Sequence, residues 1–136
     1  MGIVDEFKKF KAELKNRNWS VSSISSDHEL IVSLWGHSPF LNKHPTERKY
    51  IYTSNVNRWS GPGNNEFRAN LDKAANENLK IRPVLTTLKK LEDLKFIQEG
   101  LDASQFPKKF NAKKDWIGAL TKWDGVNFEI EFVLDQ

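Results

Sequence analysis

The stretch Asn57-Arg58-Trp59-Ser60-Gly61-Pro62-Gly63-Asn64-Asn65-Glu66-Phe67-Arg68 is the part of the sequence around which we expect the fold to be organised. A strand-like run precedes it, and apolar residues at helical spacing follow it. A helix that begins inside this stretch would present backbone N–H groups beside two arginines, an arrangement that binds anions. The stretch therefore predicts a binding loop between a strand and a helix, and it matches no catalytic motif.

The helix after this loop is expected to begin at Asn64, a suitable N-cap, and to end at Asn78, which readily takes a left-handed conformation. Phe67, Leu71 and Ala74 repeat at helical spacing between these two residues. The pattern predicts that one face of the helix packs on the core.

The other elements follow from the same kind of pattern. An apolar stripe predicts an N-terminal helix over residues 3–16. Strands are expected at 19–23, 30–35, 49–53 and 80–88, with a loop over 36–46. Pro83 cannot donate a hydrogen bond to a neighbouring strand, which predicts an edge or a bulge there. Residues 89–115 have no clear pattern.

A β-hairpin is expected at the C-terminal end, with strands over 116–123 and 126–134. Asp124-Gly125 between them is typical of a two-residue type I′ turn. Such a turn pairs the residue before it with the residue directly after it. With that register, Gly118 and Leu120 face outward.

These elements predict an α+β fold over residues 1–136, arranged as a single domain. We expect a curved, mostly antiparallel sheet or a small, partly closed β-barrel flanked by two main helices. This order of elements resembles the layout of PUA, EVE and SRA barrels. The resemblance implies binding of RNA or of modified DNA bases.

Composition narrows the possible functions. The 136 residues carry a net charge of +3 and include no cysteine, which excludes disulfides, thiolate metal sites and a cysteine nucleophile. No apolar run approaches the length of a membrane span. We therefore expect a cytoplasmic protein with no membrane association and no cofactor.

The residues expected to contact a ligand lie in the loop or near it in sequence. Arginines suit phosphates, amides suit base edges, and aromatic rings can stack on an unpaired base. The predicted nucleic-acid-binding residues are Trp35, His37, Tyr52, Asn57, Arg58, Trp59, Asn64, Asn65 and Arg68.

The sequence favours a nucleic-acid-binding module over an enzyme. In a more specific form of this prediction, the module reads a modified or flipped base in an aromatic pocket, as in restriction or RNA-modification systems. Such a module would work beside a protein partner, for instance a nuclease subunit. The spacing of His28, His37 and His44 fits no metal motif, so no metal site is predicted.

Two alternatives remain open at this point. The order helix, three strands, helix, strand also resembles the core of PD-(D/E)XK nucleases. That resemblance implies that Asp27 or Glu29, together with Glu47 and Lys49, would hold Mg²⁺ and orient a water molecule. The other alternative is a protein-interaction domain whose basic surface is incidental.

Overall fold

A computed structural model describes residues 2–16, 19–37, 40–98 and 107–134. In chain order the helices and strands are α1 (Ile3–Lys8), β1 (Ser22–Ile24), β2 (Leu30–Trp35), β3 (Leu41–Lys43), β4 (Lys49–Asn55), α2 (Pro62–Glu77), β5 (Ile81–Leu88), α3 (Leu94–Gln98), β6 (Lys108–Ala112), β7 (Trp116–Trp123) and β8 (Asn127–Leu134). Short 3₁₀ turns occupy Val56–Arg58 and Leu91–Asp93.

The strands of the described ranges form one sheet of eight, in the order β1-β2-β5-β7-β8-β4-β3, with β6 also paired to β5. Among these pairs, only β2 and β5 are parallel, and the others are antiparallel. The predicted α+β class with a mostly antiparallel sheet is confirmed. The sheet is not closed, however, because β1 and β3 are its two edges.

The C-terminal hairpin is present, but its predicted register is wrong. Trp123 pairs with Phe128, so the connection takes four residues instead of two. The Asp124 carboxylate explains the longer loop, because its Oδ1 accepts the backbone N–H groups of Val126 and Asn127 at 2.9 and 2.6 Å. This side-chain turn replaces the two-residue turn.

A β-bulge between Leu120 and Lys122 then moves the pairing by one residue, and this one-residue shift changes which residues of β7 face the core. Gly118 pairs with Phe132 and is buried, while Leu120 pairs with Ile130 and packs against the core. Both residues were expected to face outward. The aromatic ring of Phe132 occupies the space that a side chain at Gly118 would need.

Pro83 lies inside the sheet and not at an edge. On one side β5 pairs with β2 from Ile81 to Thr86, including Val32 with Pro83. On the other side β5 pairs with β7 only at Ile81 and with β6 from Val84 onward. Pro83 falls in the gap between these two partners, so its missing N–H leaves no neighbouring strand unpaired.

The first helix is shorter than predicted. It ends at Lys8 because Lys11 takes a left-handed conformation, with φ of 61°, and the Ala12 N–H bonds to the Phe7 carbonyl at 3.2 Å. This is the hydrogen-bond pattern of a Schellman stop. Phe7 and Phe10 still pack together with buried residues of β2 and β5 on one face of the sheet.

The long helix α2 covers the other face. Its predicted core positions Phe67, Leu71 and Ala74 are buried, and its predicted stop at Asn78 is confirmed by a left-handed φ of 55°. The N-cap is Gly61, three residues before the predicted N-cap Asn64, because Pro62 suits the first helical turn. Asn64 is therefore inside the helix, and its side chain does not cap the helix.

Two strands, β3 and β6, lie in segments that the sequence left as loop or without pattern. Both strands are short and consist mainly of polar residues, so neither has a strong alternation of apolar and polar residues in its sequence. Within the described ranges, no helix has the length and apolar character needed to cross a membrane.

Candidate nucleic-acid interface

One half of the candidate site is a hydrogen-bonded network around Arg68. Arg68 Nε donates to Asn64 Oδ1 at 2.7 Å, and its Nη2 donates to Asn57 Oδ1 at 2.9 Å. Asn64 Nδ2 in turn donates to the Val56 carbonyl at 2.8 Å. The network fixes the guanidinium group of Arg68 against the 3₁₀ turn that precedes α2.

The other half of the site surrounds Arg58. Its Nε donates to Ser54 Oγ at 3.1 Å, and its guanidinium carbon lies 4.8 Å from the centre of the Phe40 ring. A cation–π contact and the Ser54 hydroxyl thus hold this arginine at the end of β4.

All the polar partners of these two arginines are neutral. In the described ranges, no carboxylate lies within 4.0 Å of Arg58 or Arg68. Arg82, by contrast, has its Nε 3.4 Å from Glu29 Oε1. The two arginines of the site are therefore positioned without having their charge compensated.

Three predicted contact residues are buried. Trp35 is 8% exposed, Tyr52 1% and Asn64 2%. Burial raises the pKa of Tyr52 to about 12, so its phenol stays neutral across the physiological range. Asn64 belongs to the network that holds Arg68, whereas Trp35 and Tyr52 lie in the hydrophobic core, and none of the three offers a surface to a base.

The remaining loop residues are more accessible. Asn57 and Asn65 are exposed, whereas Trp59 is partly buried and its ring lies 6.0 Å from that of Phe67. Gly63 allows the chain to pass closely here, because a Cβ at that position would collide with the Trp19 carbonyl oxygen. The loop thus presents two amides and part of one indole ring.

His37 is not connected to either arginine by any contact among the described residues. Its Nε2 accepts the backbone N–H of Leu88 at 3.0 Å. The preceding residue, Gly36, donates its N–H to the Thr86 carbonyl at 2.9 Å. The imidazole therefore extends the hydrogen bonding of the parallel pair β2–β5 beyond the end of β2.

This role predicts a pH-dependent contribution to stability. Burial lowers the pKa of the His37 imidazole below its ordinary value of 6.5. The folded state then binds the proton less readily than the unfolded state. The contribution of His37 is accordingly complete above pH 6.5 and is lost as the pH falls through that value towards the lowered pKa.

We expect a loss of about 1 kcal/mol, the value of one hydrogen bond. Urea unfolding of the wild type and of His37→Gln between roughly pH 8 and 5 measures it, since glutamine can accept the Leu88 N–H but does not titrate. The two proteins should diverge only in the acidic part of the range. Parallel curves would show that His37 does not titrate with folding.

The residues of the nuclease alternative do not come together. Asp27 and Glu29 precede β2, whereas Glu47 and Lys49 lie at the start of β4, and β5, β7 and β8 separate these two strands. Four strand spacings correspond to roughly 19 Å along the sheet. Lys49 instead bridges Glu47 and Glu131, each at 2.8 Å.

No group of three or more histidine, aspartate or glutamate side chains suited to a metal ion occurs in the parts of the chain that the structure describes. The Asp27 carboxylate pairs with Lys11 at 3.7 Å, and Glu29 pairs with Arg82. The acidic residues of the alternative are thus engaged in separate ion pairs.

Sequence reasoning missed three groups that position the arginines. They are the Phe40 ring, the Ser54 hydroxyl and the Val56 carbonyl. Ser54 lies four residues before Arg58, close enough for sequence spacing to suggest a contact. Phe40 lies in the segment predicted as loop, and only the pairing of β3 with β4 brings it to Arg58.

Comparison of the chain with protein-family models, with curated protein sequences and with solved structures gave no match in any of the three.

Proposed function

We propose that the protein binds nucleic acid through the surface formed by the 3₁₀ turn Val56–Arg58 and the start of α2. The observation that supports this most strongly is the pair Arg58 and Arg68, each fixed by neutral acceptors and uncompensated by any described carboxylate. A fixed guanidinium with N–H groups to spare is suited to a phosphate oxygen.

The amide of Asn57 indicates which class of ligand suits the site. Its Oδ1 accepts from Arg68, which fixes the exposed amide beside the guanidinium group, and its Nδ2 carries two N–H donors for a ligand. Donors beside a guanidinium suit a ligand that is rich in acceptors, such as a phosphodiester or the carbonyl edge of a base. The positive net charge of +3 favours the same class of ligand.

The partly buried Trp59 is a smaller contributor. Part of its ring remains accessible for contact with a base, while Trp35 and Tyr52 are buried. We therefore propose binding without an aromatic pocket built from those three rings. A layout like that of PUA, EVE and SRA domains, and a cytoplasmic location, would both fit such a ligand.

The proposal predicts that Arg58→Gln and Arg68→Gln each weaken binding of a short oligonucleotide by about tenfold, since each removes a charge-assisted hydrogen bond. The slope of log affinity against log salt should also fall by roughly 0.7 to 0.9 for each phosphate interaction that is removed. Fluorescence anisotropy with labelled single-stranded DNA, RNA and duplex DNA, at about 50 and 200 mM salt, measures both quantities.

Arg48→Gln is the matched control. Arg48 is exposed and precedes β4, at the end of the strand opposite to Arg58, so the substitution makes the same change in net charge away from the site. We expect it to change affinity by less than about twofold. Equal weakening by all three substitutions would indicate attraction by net charge alone, and no binding at low salt would refute the proposal.

A further inference from the structure

A groove of about 260 Å³ lies between the C-terminal half of α2 and β7, apart from the arginine site. Ala74, Ala75, Asn78 and Leu79 form the wall on the helix side. The opposite wall consists of consecutive residues of β7, from Gly118 to Trp123.

The consecutive residues show which part of β7 faces the groove. Side chains of a strand point alternately to its two faces, so one face could contribute only every second residue. Since residues 118–123 all line the groove, it runs along the edge of the strand, where the backbone N–H and C=O groups lie. This edge has no strand beside it in the described ranges, because β5 pairs with β7 only at Gly118.

The helix leaves room beside this edge. Ala74 and Ala75 have the smallest side chains that a helix readily carries, and Ala75 is exposed. The helix then ends at Asn78 in its left-handed conformation. The chain joins β5 only from Ile81 onward, so the line of β5 stops where the groove begins.

We propose that this groove binds an extended acidic peptide segment of a partner protein, which adds as a strand to the open edge of β7. Strand addition supplies main-chain hydrogen bonds to an unpaired edge. The open edge Ala119–Trp123 has five residues and is roughly 17 Å long, which suits an extended segment.

The charges around the groove select an acidic partner. Lys80 and Lys122 are exposed and contribute to its lining. Within the described residues, no carboxylate lies within 4.0 Å of Lys80, and Lys122 has only Glu129 at 3.8 Å. Lysines at a strand edge disfavour pairing with an identical edge and leave an acidic strand as the complementary partner.

The nearby acidic side chains already have partners inside the protein. Asp72 Oδ1 accepts from Trp123 Nε1 at 2.7 Å, and Glu129 Oε2 accepts from the Thr121 hydroxyl at 2.7 Å. Both donors are neutral, so the two carboxylates keep their negative charge, but neither Asp72 nor Glu129 is among the residues that line the groove, whereas Lys80 and Lys122 are. The groove therefore offers donors and positive charge along one unpaired strand.

A synthetic eight-residue peptide of alternating valine and glutamate is the first probe, and isothermal titration calorimetry gives its affinity. We expect this peptide to bind. Two further peptides carry N-methyl groups at either the odd-numbered or the even-numbered peptide bonds. One of these two should bind at least tenfold more weakly, because its methyl groups remove the main-chain donors that face β7. Replacing its glutamates by lysine should weaken it by roughly fivefold or more.

Ala75→Trp should block the groove, and Ala69→Trp is its control because Ala69 is an exposed residue of the same helix outside the groove lining. The proposal is overturned if the acidic peptide does not bind, if both methylated forms bind as well as it does, if the lysine peptide binds equally, or if Ala75→Trp leaves its affinity unchanged. Nucleic-acid binding is measured separately, so either proposal can fail without the other.

Discussion

Replacing Gly118 with alanine is expected to lower the free energy of unfolding by about 3 kcal/mol, at the upper end of the usual cost of overpacking. A Cβ at Gly118 would lie 2.5 Å from Cδ1 and Cε1 of the Phe132 ring and 3.2 Å from Cγ2 of Ile130. Phe132 and Ile130 are fully buried, so neither can move without disturbing other core residues.

The sign of this effect is opposite to that of an ordinary glycine-to-alanine change. The backbone at Gly118 does not have the positive φ that would exclude alanine. Without the collision, alanine would stabilise the fold by about 0.4 to 1 kcal/mol through the unfolded state. The midpoint of thermal unfolding of Gly118→Ala should therefore be about 10 °C lower than that of the wild type. A midpoint equal to or higher than that of the wild type would contradict the predicted collision.

A second substitution separates this collision from a general loss of strand structure. Phe132→Leu removes the ring atoms that the new Cβ would meet, so it should be less destabilising in the Gly118→Ala background than in the wild type. We expect a coupling of about 1 to 2 kcal/mol from a double-mutant cycle. Additive effects would contradict the predicted collision.

Replacing Asn64 with leucine is the second large effect, again with an expected loss of about 3 kcal/mol. Leucine is similar in size, but it removes the acceptor of Arg68 Nε at 2.7 Å and the donor to the Val56 carbonyl at 2.8 Å, which leaves that carbonyl with only the longer contact to Arg68 Nη2 at 3.4 Å. Asn64 is 2% exposed, so water cannot readily replace these hydrogen bonds.

Asn65→Leu is the matched control for this prediction. Asn65 is the next residue of the same helix, and its side chain is exposed. Denaturant unfolding should show a change within about 0.5 kcal/mol for this variant. Leucine has a higher helix propensity than asparagine, so similar losses for both substitutions would contradict the role assigned to the Arg68 network.

Local sequence signals predicted much of the fold correctly. The left-handed stop at Asn78 and the apolar face of α2 depend on residues within a few helical turns. The failures came where a side chain or a distant strand decides the geometry. The Asp124 carboxylate changed the hairpin register, and the partners of β5 placed Pro83 in a gap inside the sheet.

The candidate site was less predictable than the fold. The continuous apolar run of β2 already predicted a buried strand, and Trp35 at its end is indeed buried rather than presented to a ligand. Asn64 suits a helix cap by sequence, but proline two residues earlier begins the helix and turns the amide towards Val56. The groove along β7 could not be predicted, because it depends on where β5 leaves its neighbour.

The central claim is that Arg58 and Arg68 contact nucleic acid directly. The most direct test follows the Nε–Hε signals of the arginine side chains by ¹⁵N NMR while a short single-stranded oligonucleotide is added. We predict that the signals of Arg58 and Arg68 shift as the oligonucleotide binds, while that of Arg82, paired with Glu29, stays in place. Binding that leaves the Arg58 and Arg68 signals unchanged would contradict the claim.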